Sequence, residues 1–138
     1  MGCWRESLSG SDDLVAAARA ARENAVADFS HFKVGAALRT AAGEIITGCN
    51  VENATYGLTV CAERVAIWKA LSEGHREFTA IAIVANTEAP TPPCGACRQL
   101  LWEFCGDIAI TLANLDRVTG QHQMKDLLPL PFDARLLT

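Results

Sequence analysis

The chain has 138 residues, a length suited to one domain, with half of them hydrophobic and a fifth charged. That mix excludes a disordered polymer, and no apolar run approaches the ~18–20 residues needed to span a bilayer. The formal net charge of −4 argues against a nucleic-acid polymer as partner, since such partners meet basic surfaces.

No basic segment followed by an apolar stretch opens the chain, so no secretory signal is expected. Met1-Gly2-Cys3 has Glu6 where a myristoylation start needs Ser or Thr. The six cysteines therefore read as a metal site in a reducing compartment, the cytoplasm, more than as a disulfide framework.

In chain order, residues 1–10 read as a loose lead-in. Ser11 is placed to cap a helix, with Asp12 and Asp13 in its first turn, where negative charge suits the dipole. Leu14, Val15, Ala18, Ala21, Ala25 and Val26 recur at helical spacing and predict a helix to about Ala27. Val34 to Leu38 and Ile45 to Val51 predict two strands joined at Ala41-Ala42-Gly43-Glu44, a hairpin. A polar loop follows, to Val60. From Cys61 the pattern is helical again and stops at Gly74. Phe78 to Ala85 is apolar throughout and predicts a central strand. A loop with Pro90, Pro92 and Pro93 leads to a helix that starts at the second cysteine pair and stops at Gly106-Asp107. Ile108 to Ala113 is a further strand. A turn, a weak strand and a short helix from Met124 to Leu128 complete the order. Strands separated by single helices favour parallel pairing with helices on both faces of one sheet, in a single domain over 1–138.

Two stretches carry chemistry. Cys61-Ala62-Glu63 is answered by Pro93-Cys94-Gly95-Ala96-Cys97. Each group of thiols opens a helix, where the dipole favours thiolates and offsets the negative charge of three of them on Zn²⁺. Arg64 stands close enough to donate to the sulfurs. A structural zinc takes four protein ligands, whereas a catalytic one keeps a position for water. Cys105 lies eight residues past Cys97 on the same helix, roughly 12 Å along its axis, and should not reach. Cys49, on a strand, stays open as a fourth ligand on these grounds. Glu63 has two readings. It is either a dipole partner in the first turn, or a carboxylate that moves protons between metal-activated water and substrate.

C-x-E followed by P-C-x-x-C is the signature of the zinc nucleobase deaminases. Together with Ser30-His31-Phe32, Val34-Gly35-Ala36-Ala37 and Gly48 to Ala54, the chain resembles the small homotetrameric zinc-dependent cytidine deaminases from about Asp12 to Phe132. The resemblance implies a three-layer α/β/α sandwich around a mixed five-stranded sheet. It implies one Zn²⁺ per subunit on Cys61, Cys94 and Cys97, and makes Cys49 an ordinary core residue. Zinc-bound hydroxide would attack C4 of free cytidine or deoxycytidine, with Glu63 as proton shuttle, giving uridine or deoxyuridine and ammonia.

The same resemblance makes Asn50 and Glu52 a ribose clamp, whose carboxylate beside the 3′-hydroxyl would repel a phosphate and so favour a free nucleoside over nucleic acid. The alternative is two loop residues bonding backbone. Phe32 would pack on the base, or else sit in the core, and Ala62 would offer a backbone group to the base. Tyr56 and Phe132 would shape the pocket of a neighbouring subunit in a homotetramer. Alternatively, Phe132 folds back on its own core. Lys33, Val60 and Phe29 depart from the commoner pattern of proline, asparagine and tyrosine and leave substrate range open. The competing functions are a deaminase of a blasticidin-type antibiotic nucleoside, a polynucleotide editor and a non-catalytic zinc-stabilised module. No membrane association is expected.

Overall fold

The computed structural model describes the backbone of residues 2–137 and the side-chain environments of residues 12–137. The first helix, α1, runs Gly2–Arg22, so it begins well before Ser11. Ser11 thus lies inside the helix and does not cap it; of the lead-in expected over 1–10, residues 2–10 are helical and residue 1 lies outside the described residues. The helix also ends before Ala25 and Val26. Those residues continue its apolar spacing, but Val26 leaves the helix to bridge to Val51. Tertiary pairing has overridden a local pattern there.

Five strands follow: β1 (Val34–Thr40), β2 (Ile45–Cys49), β3 (Phe78–Ala85), β4 (Ala109–Ala113) and β5 (Val118–Gln123). Helices α2 (Ala62–Ser72), α3 (Gly95–Cys105) and α4 (Met124–Leu127) lie between or after them. The sheet order is β2-β1-β3-β4-β5. Only β3 and β4 pair in parallel, with α3 as their crossover; β1–β2, β1–β3 and β4–β5 are antiparallel. The parallel pairing expected from the element order is thus confined to one pair. The β1–β2 hairpin forms as expected and turns β1 antiparallel to β3.

Alternation along the strands builds two cores. Ala36, Leu38, Ile81, Ile83, Ile110 and Leu112 face Ala66, Ile67 and Ala70 of α2 and Leu101 of α3. The intervening Ala37, Ala82, Val84 and Ala113 face Leu14, Val15 and Ala18 of α1. Period-2 strands with both faces apolar therefore give three layers, α/β/α. The α1 side is lined with small residues, which brings the helix close. A Cβ on Gly35 would stand 2.0 Å from the Ala18 carbonyl oxygen. On the other side, a Cβ on Gly48 would stand 2.5 Å from the Ala66 amide nitrogen of α2.

Register brings one end of the sheet together. Val34 pairs with Ala85, and Gly35 pairs with Cys49. The start of β1, the end of β2 and the end of β3 thus share one edge of the layer. Just beyond it, Val51 bridges both Val26 and Val60, which gathers the loops that precede β1 and α2. Among the described residues no helix is long and apolar enough to cross a membrane.

Candidate active site

Cys61 is the N-cap of α2 and Cys94 the N-cap of α3. Both helices therefore point their positive ends at one spot. Cys97 sits in the first turn of α3, and its amide donates to Cys94 Sγ over 3.4 Å. The sulfurs of Cys61, Cys94 and Cys97 all lie within 4.8 Å of one another. Neither Cys49 nor Cys105 joins that group. Cys105 is set apart at the end of α3, where burial pushes its thiol up to about 12.

The charge pattern suits a soft cation. Cys61 is lowered to about 6, first by the Cys97 thiol that donates to it and then by the Arg64 charge. Cys97 is pushed up, first by that same bond to Cys61 and then by burial. The three sulfurs face one another closely enough for one divalent cation to be held between them. The Arg64 guanidinium stands beside the Cys97 and Cys94 sulfurs, which raise its pKa, while its buried Nε has no hydrogen-bond partner among the described residues. Three thiolates, two helix N-termini and a neighbouring guanidinium fit Zn²⁺ with a fourth position left open.

Glu63 lies in the first turn of α2 and is 5% exposed. Burial raises its pKa above the ordinary 4.5, with Cys61 adding to the effect. A buried carboxyl held above its usual range takes up a proton more readily than an exposed one.

A cavity of about 260 Å³ opens beside these groups. Cys61, Ala62, Glu63 and Cys94 line one end, and Ser30, Phe32, Asn50 and Glu52 line the other. Phe32 is 41% exposed there and is not a core residue. A larger hollow of about 560 Å³ lies on the α1 side of the sheet, bordered by Arg39, Thr111, Gln121 and Gln123. It holds none of these thiols and not Glu63, so the smaller cavity is the candidate site.

Asn50 and Glu52 are both at the cavity and already bonded to backbone. The Asn50 amide donates to the Phe32 carbonyl and accepts from the Val34 amide, each at 2.8 Å. Glu52 accepts from the Phe29 and Ser30 amides at 3.0 and 2.9 Å, and from the Ser30 hydroxyl. The pair therefore bonds backbone and holds the loop, and both residues also line the cavity.

Phe132 is not brought to this cavity, and Tyr56 borders an adjoining hollow that shares Ser30, Glu52 and Thr59 with it. Tyr56, in a short 3-10 turn over Tyr56–Leu58, is 73% exposed and packs edge-on against Phe29, with ring centroids 5.9 Å apart. Phe132 is 57% exposed on the C-terminal tail, its carbonyl accepting from Gln99 at 2.7 Å.

Some contributors carried no sequence signal. Thr59, Val60, Thr91 and Pro92 line the cavity. Arg98 donates to the Pro93 carbonyl at 2.8 Å and the Leu127 carbonyl at 3.1 Å, which braces the second thiol loop against α4. A basic residue next to a ligand is the one hint the sequence offered for that brace.

The family model for the cytidine and deoxycytidylate deaminase zinc-binding region matches residues 9–112. A cytidine deaminase from Halalkalibacterium halodurans is 50% identical over 122 residues, 88% of this chain and 92% of that protein. Another from Sporosarcina psychrophila is 48% identical over 128 residues, 92% of this chain and 94% of that protein. The crystal structure of cytidine deaminase from Burkholderia pseudomallei superposes with a TM-score of 0.84 at 49% identity, covering 88% of this chain and 98% of that one.

Proposed function

The chain belongs to the cytidine and deoxycytidylate deaminase family, and from that premise we propose a route by which its residues deaminate free nucleosides. Its activity is hydrolytic cytidine deamination, with zinc as cofactor. We extend this to deoxycytidine, with uridine or deoxyuridine and ammonia as products, a reaction of pyrimidine salvage. The observation that carries the reading is one cavity lined by two of the three clustered thiols, Cys61 and Cys94, by the buried carboxyl of Glu63 and by Asn50 and Glu52.

Cys61, Cys94 and Cys97 would hold the zinc, whose Lewis acidity lowers the pKa of a water it binds. Glu63 takes a proton from the attacking water and delivers it to N3 of the pyrimidine. A C–O bond forms at C4. Glu63 then takes the proton of the new C4 hydroxyl and passes it to the amine; the C4–N bond breaks as the C4 carbonyl forms, and ammonia leaves. Burial of Glu63 suits it to this shuttling, because it weakens the cost of holding the proton.

Phe32 packs on the base and the Ala62 backbone meets its polar edge. Asn50 and Glu52 take the sugar. Glu52 is lowered in pKa, first by the Ser30 hydroxyl, and so stays an ionised acceptor. It therefore welcomes a hydroxyl and repels a phosphate, which favours nucleosides over nucleic acid. The overall charge of −4 points the same way.

Tyr56 and Phe132 complete the cavity of a neighbouring subunit in a homotetramer. The support is their exposure outside their own cavity, together with other exposed apolar side chains such as Phe29, Leu58 and Trp68. Zinc held on thiolates fits a reducing cytoplasm.

The test follows cytidine absorbance with zinc-replete protein and a Glu63→Ala control. Turnover that is lost in the control, by at least the ~10²–10⁴-fold of one acid–base group, supports the route. A control within tenfold of wild type would remove Glu63 from it. Absence of wild-type turnover, with turnover of an antibiotic nucleoside in its place, would redirect the substrate.

A further inference from the structure

The loop between α1 and β1 is held at its middle by one side chain. Ser30 Oγ accepts from the Phe32 amide at 3.0 Å and donates to Glu52 Oε2. The other carboxylate oxygen, Oε1, takes the amides of Phe29 and Ser30. Between Ser30 and Phe32, His31 adopts φ 58°, the one positive φ at a non-glycine residue among the described residues. The loop is thus bent through an unfavoured conformation and kept there by its bonds to Glu52.

The direction of these bonds is fixed. The Phe32 amide can only donate, and an ionised carboxylate can only accept. The single hydrogen of the Ser30 hydroxyl must therefore point at Glu52. A one-way chain runs from the Phe32 backbone through Ser30 to the carboxylate. Both ends line the same cavity. The carbonyl side of Phe32 is held separately, by Asn50, so its amide side depends on Ser30.

Acceptor capacity completes the argument. A carboxylate offers roughly four lone-pair sites, and three donors occupy Glu52. That leaves about one site for a ligand hydroxyl. Its depressed pKa, due first to the Ser30 hydroxyl, agrees with a carboxylate kept ionised for that purpose.

We propose that Ser30 is a positioning residue that couples capture of a sugar hydroxyl at Glu52 to the seating of Phe32 on the base. This rests on the reading that Glu52 takes the sugar. A hydroxyl arriving at Glu52 tightens the carboxylate against the Ser30 chain and draws the Phe32 backbone with it. A ligand without hydroxyls gains nothing from the coupling.

The test uses uridine and 2′,3′-dideoxyuridine as competitive inhibitors of cytidine turnover by the zinc-replete oligomer. Their Ki ratio measures how much the sugar hydroxyls contribute. Ser30 lies on an exposed loop, so Ser30→Ala removes the bonds without opening a core. It is expected to shrink the ratio by about tenfold, the scale of one hydrogen bond to a charged group. Ser30→Thr, which keeps a hydroxyl, should restore most of it. In a Glu52→Gln background, Ser30→Ala should leave the ratio unmoved.

A Ser30→Ala ratio equal to wild type overturns the proposal, even if both inhibitors weaken together, because equal weakening is what a merely structural serine would cause. Losses that add independently in the double variant overturn it too. Wild-type turnover with an unchanged ratio sinks this inference alone. No wild-type turnover of cytidine sinks the functional reading and this inference with it.

Discussion

The indole nitrogen of Trp102 donates to Asp133 Oδ2 over 2.9 Å and so ties the C-terminal tail to α3. Arg135 closes on the same carboxylate, its Nη2 donating at 2.7 Å and its Nε at 2.9 and 3.0 Å. One residue upstream, Gln99 holds the Phe132 carbonyl. The tail that presents Phe132 is thus fastened to the helix that begins at Cys94.

This fastening should weaken in acid. Asp133 is held well below its ordinary value of 3.8, first by Arg135 and then by Trp102. A carboxylate depressed in the folded state adds stability that is present above its unfolded value and is lost as pH falls through that value toward the folded one. Melting of wild type and Asp133→Asn, compared from neutral to acid pH, is expected to show a gap that is largest at neutrality. The gap should start to narrow at about pH 4, the unfolded carboxylate value, and go on narrowing well below it toward the depressed folded value. A gap that does not change with pH would show that the charge of Asp133 is not what holds the tail.

The metal should depend on three thiols and no others. Cys97 is fully buried, and its sulfur belongs to the cluster. Cys97→Ala is expected to drop zinc from one per chain to near none after dialysis and to lower the melting temperature, since metal binding is coupled to folding. The loss of affinity should exceed the ~10–100-fold typical of losing an outer partner of a ligand. Cys49→Ala and Cys105→Ala should keep stoichiometric zinc. Metal retained by Cys97→Ala, or lost in Cys49→Ala, would redraw the ligand set.

The approach of α2 to the sheet should be as sensitive as the thiols. Gly48 on β2 faces the α2 backbone, and a Cβ there would stand 2.5 Å from the Ala66 nitrogen and 2.6 Å from the Ala62 oxygen. Backbone atoms cannot step aside as a side-chain tip can, so the whole helix must move. Gly48→Ala is expected to destabilise by ~1–3 kcal/mol, the usual range for overpacking. Because α2 carries Cys61 and Glu63 at its start, kcat/KM should fall further than stability alone requires, up to the ~10²-fold that follows a 1 Å misplacement. Denaturant melts and kinetics on the same preparation separate the two effects. A folded variant with wild-type kcat/KM would show that α2 can shift without disturbing its first turn.

The chemistry of this site was more legible than its surroundings, for physical reasons. Local spacing sets Glu63 beside Cys61 and Cys97 beside Cys94 at the starts of two helices, and packing of both helices on one face of the sheet brings the two groups together. The strand Phe78–Ala85 has the expected bounds, because a central strand with helices on both faces is apolar along nearly its whole length, with Thr79 at its exposed start the exception. The edge strand Val118–Gln123 has the polar run TGQHQ and was legible only as weak; pairing with β4, not burial, makes it a strand. The double duty of Asn50 and Glu52 was hidden for another reason. Their backbone partners lie 16 to 23 residues away, at a distance no local pattern reports. The end of α1 was misjudged because Ala25 and Val26 keep helical spacing while Val26 pairs with Val51.

Phe132 offers the sharpest test of a shared site. Its ring is exposed and stands apart from the cavity of its own chain. If it serves a neighbour, a chain lacking Glu63 can still lend its Phe132. Glu63→Gln leaves a subunit with a dead centre and an intact tail. Phe132→Ala leaves a live centre that its neighbours cannot complete. Each variant alone is expected to be weak, with the subunit fold preserved in Phe132→Ala because little buried area is lost. Unfolding and refolding the two together gives mixed oligomers. In these, Phe132→Ala centres beside Glu63→Gln neighbours receive an intact ring, so activity should rise above the sum of the two parents. A mixture that only averages its parents would place Phe132 in the service of its own chain, or of none.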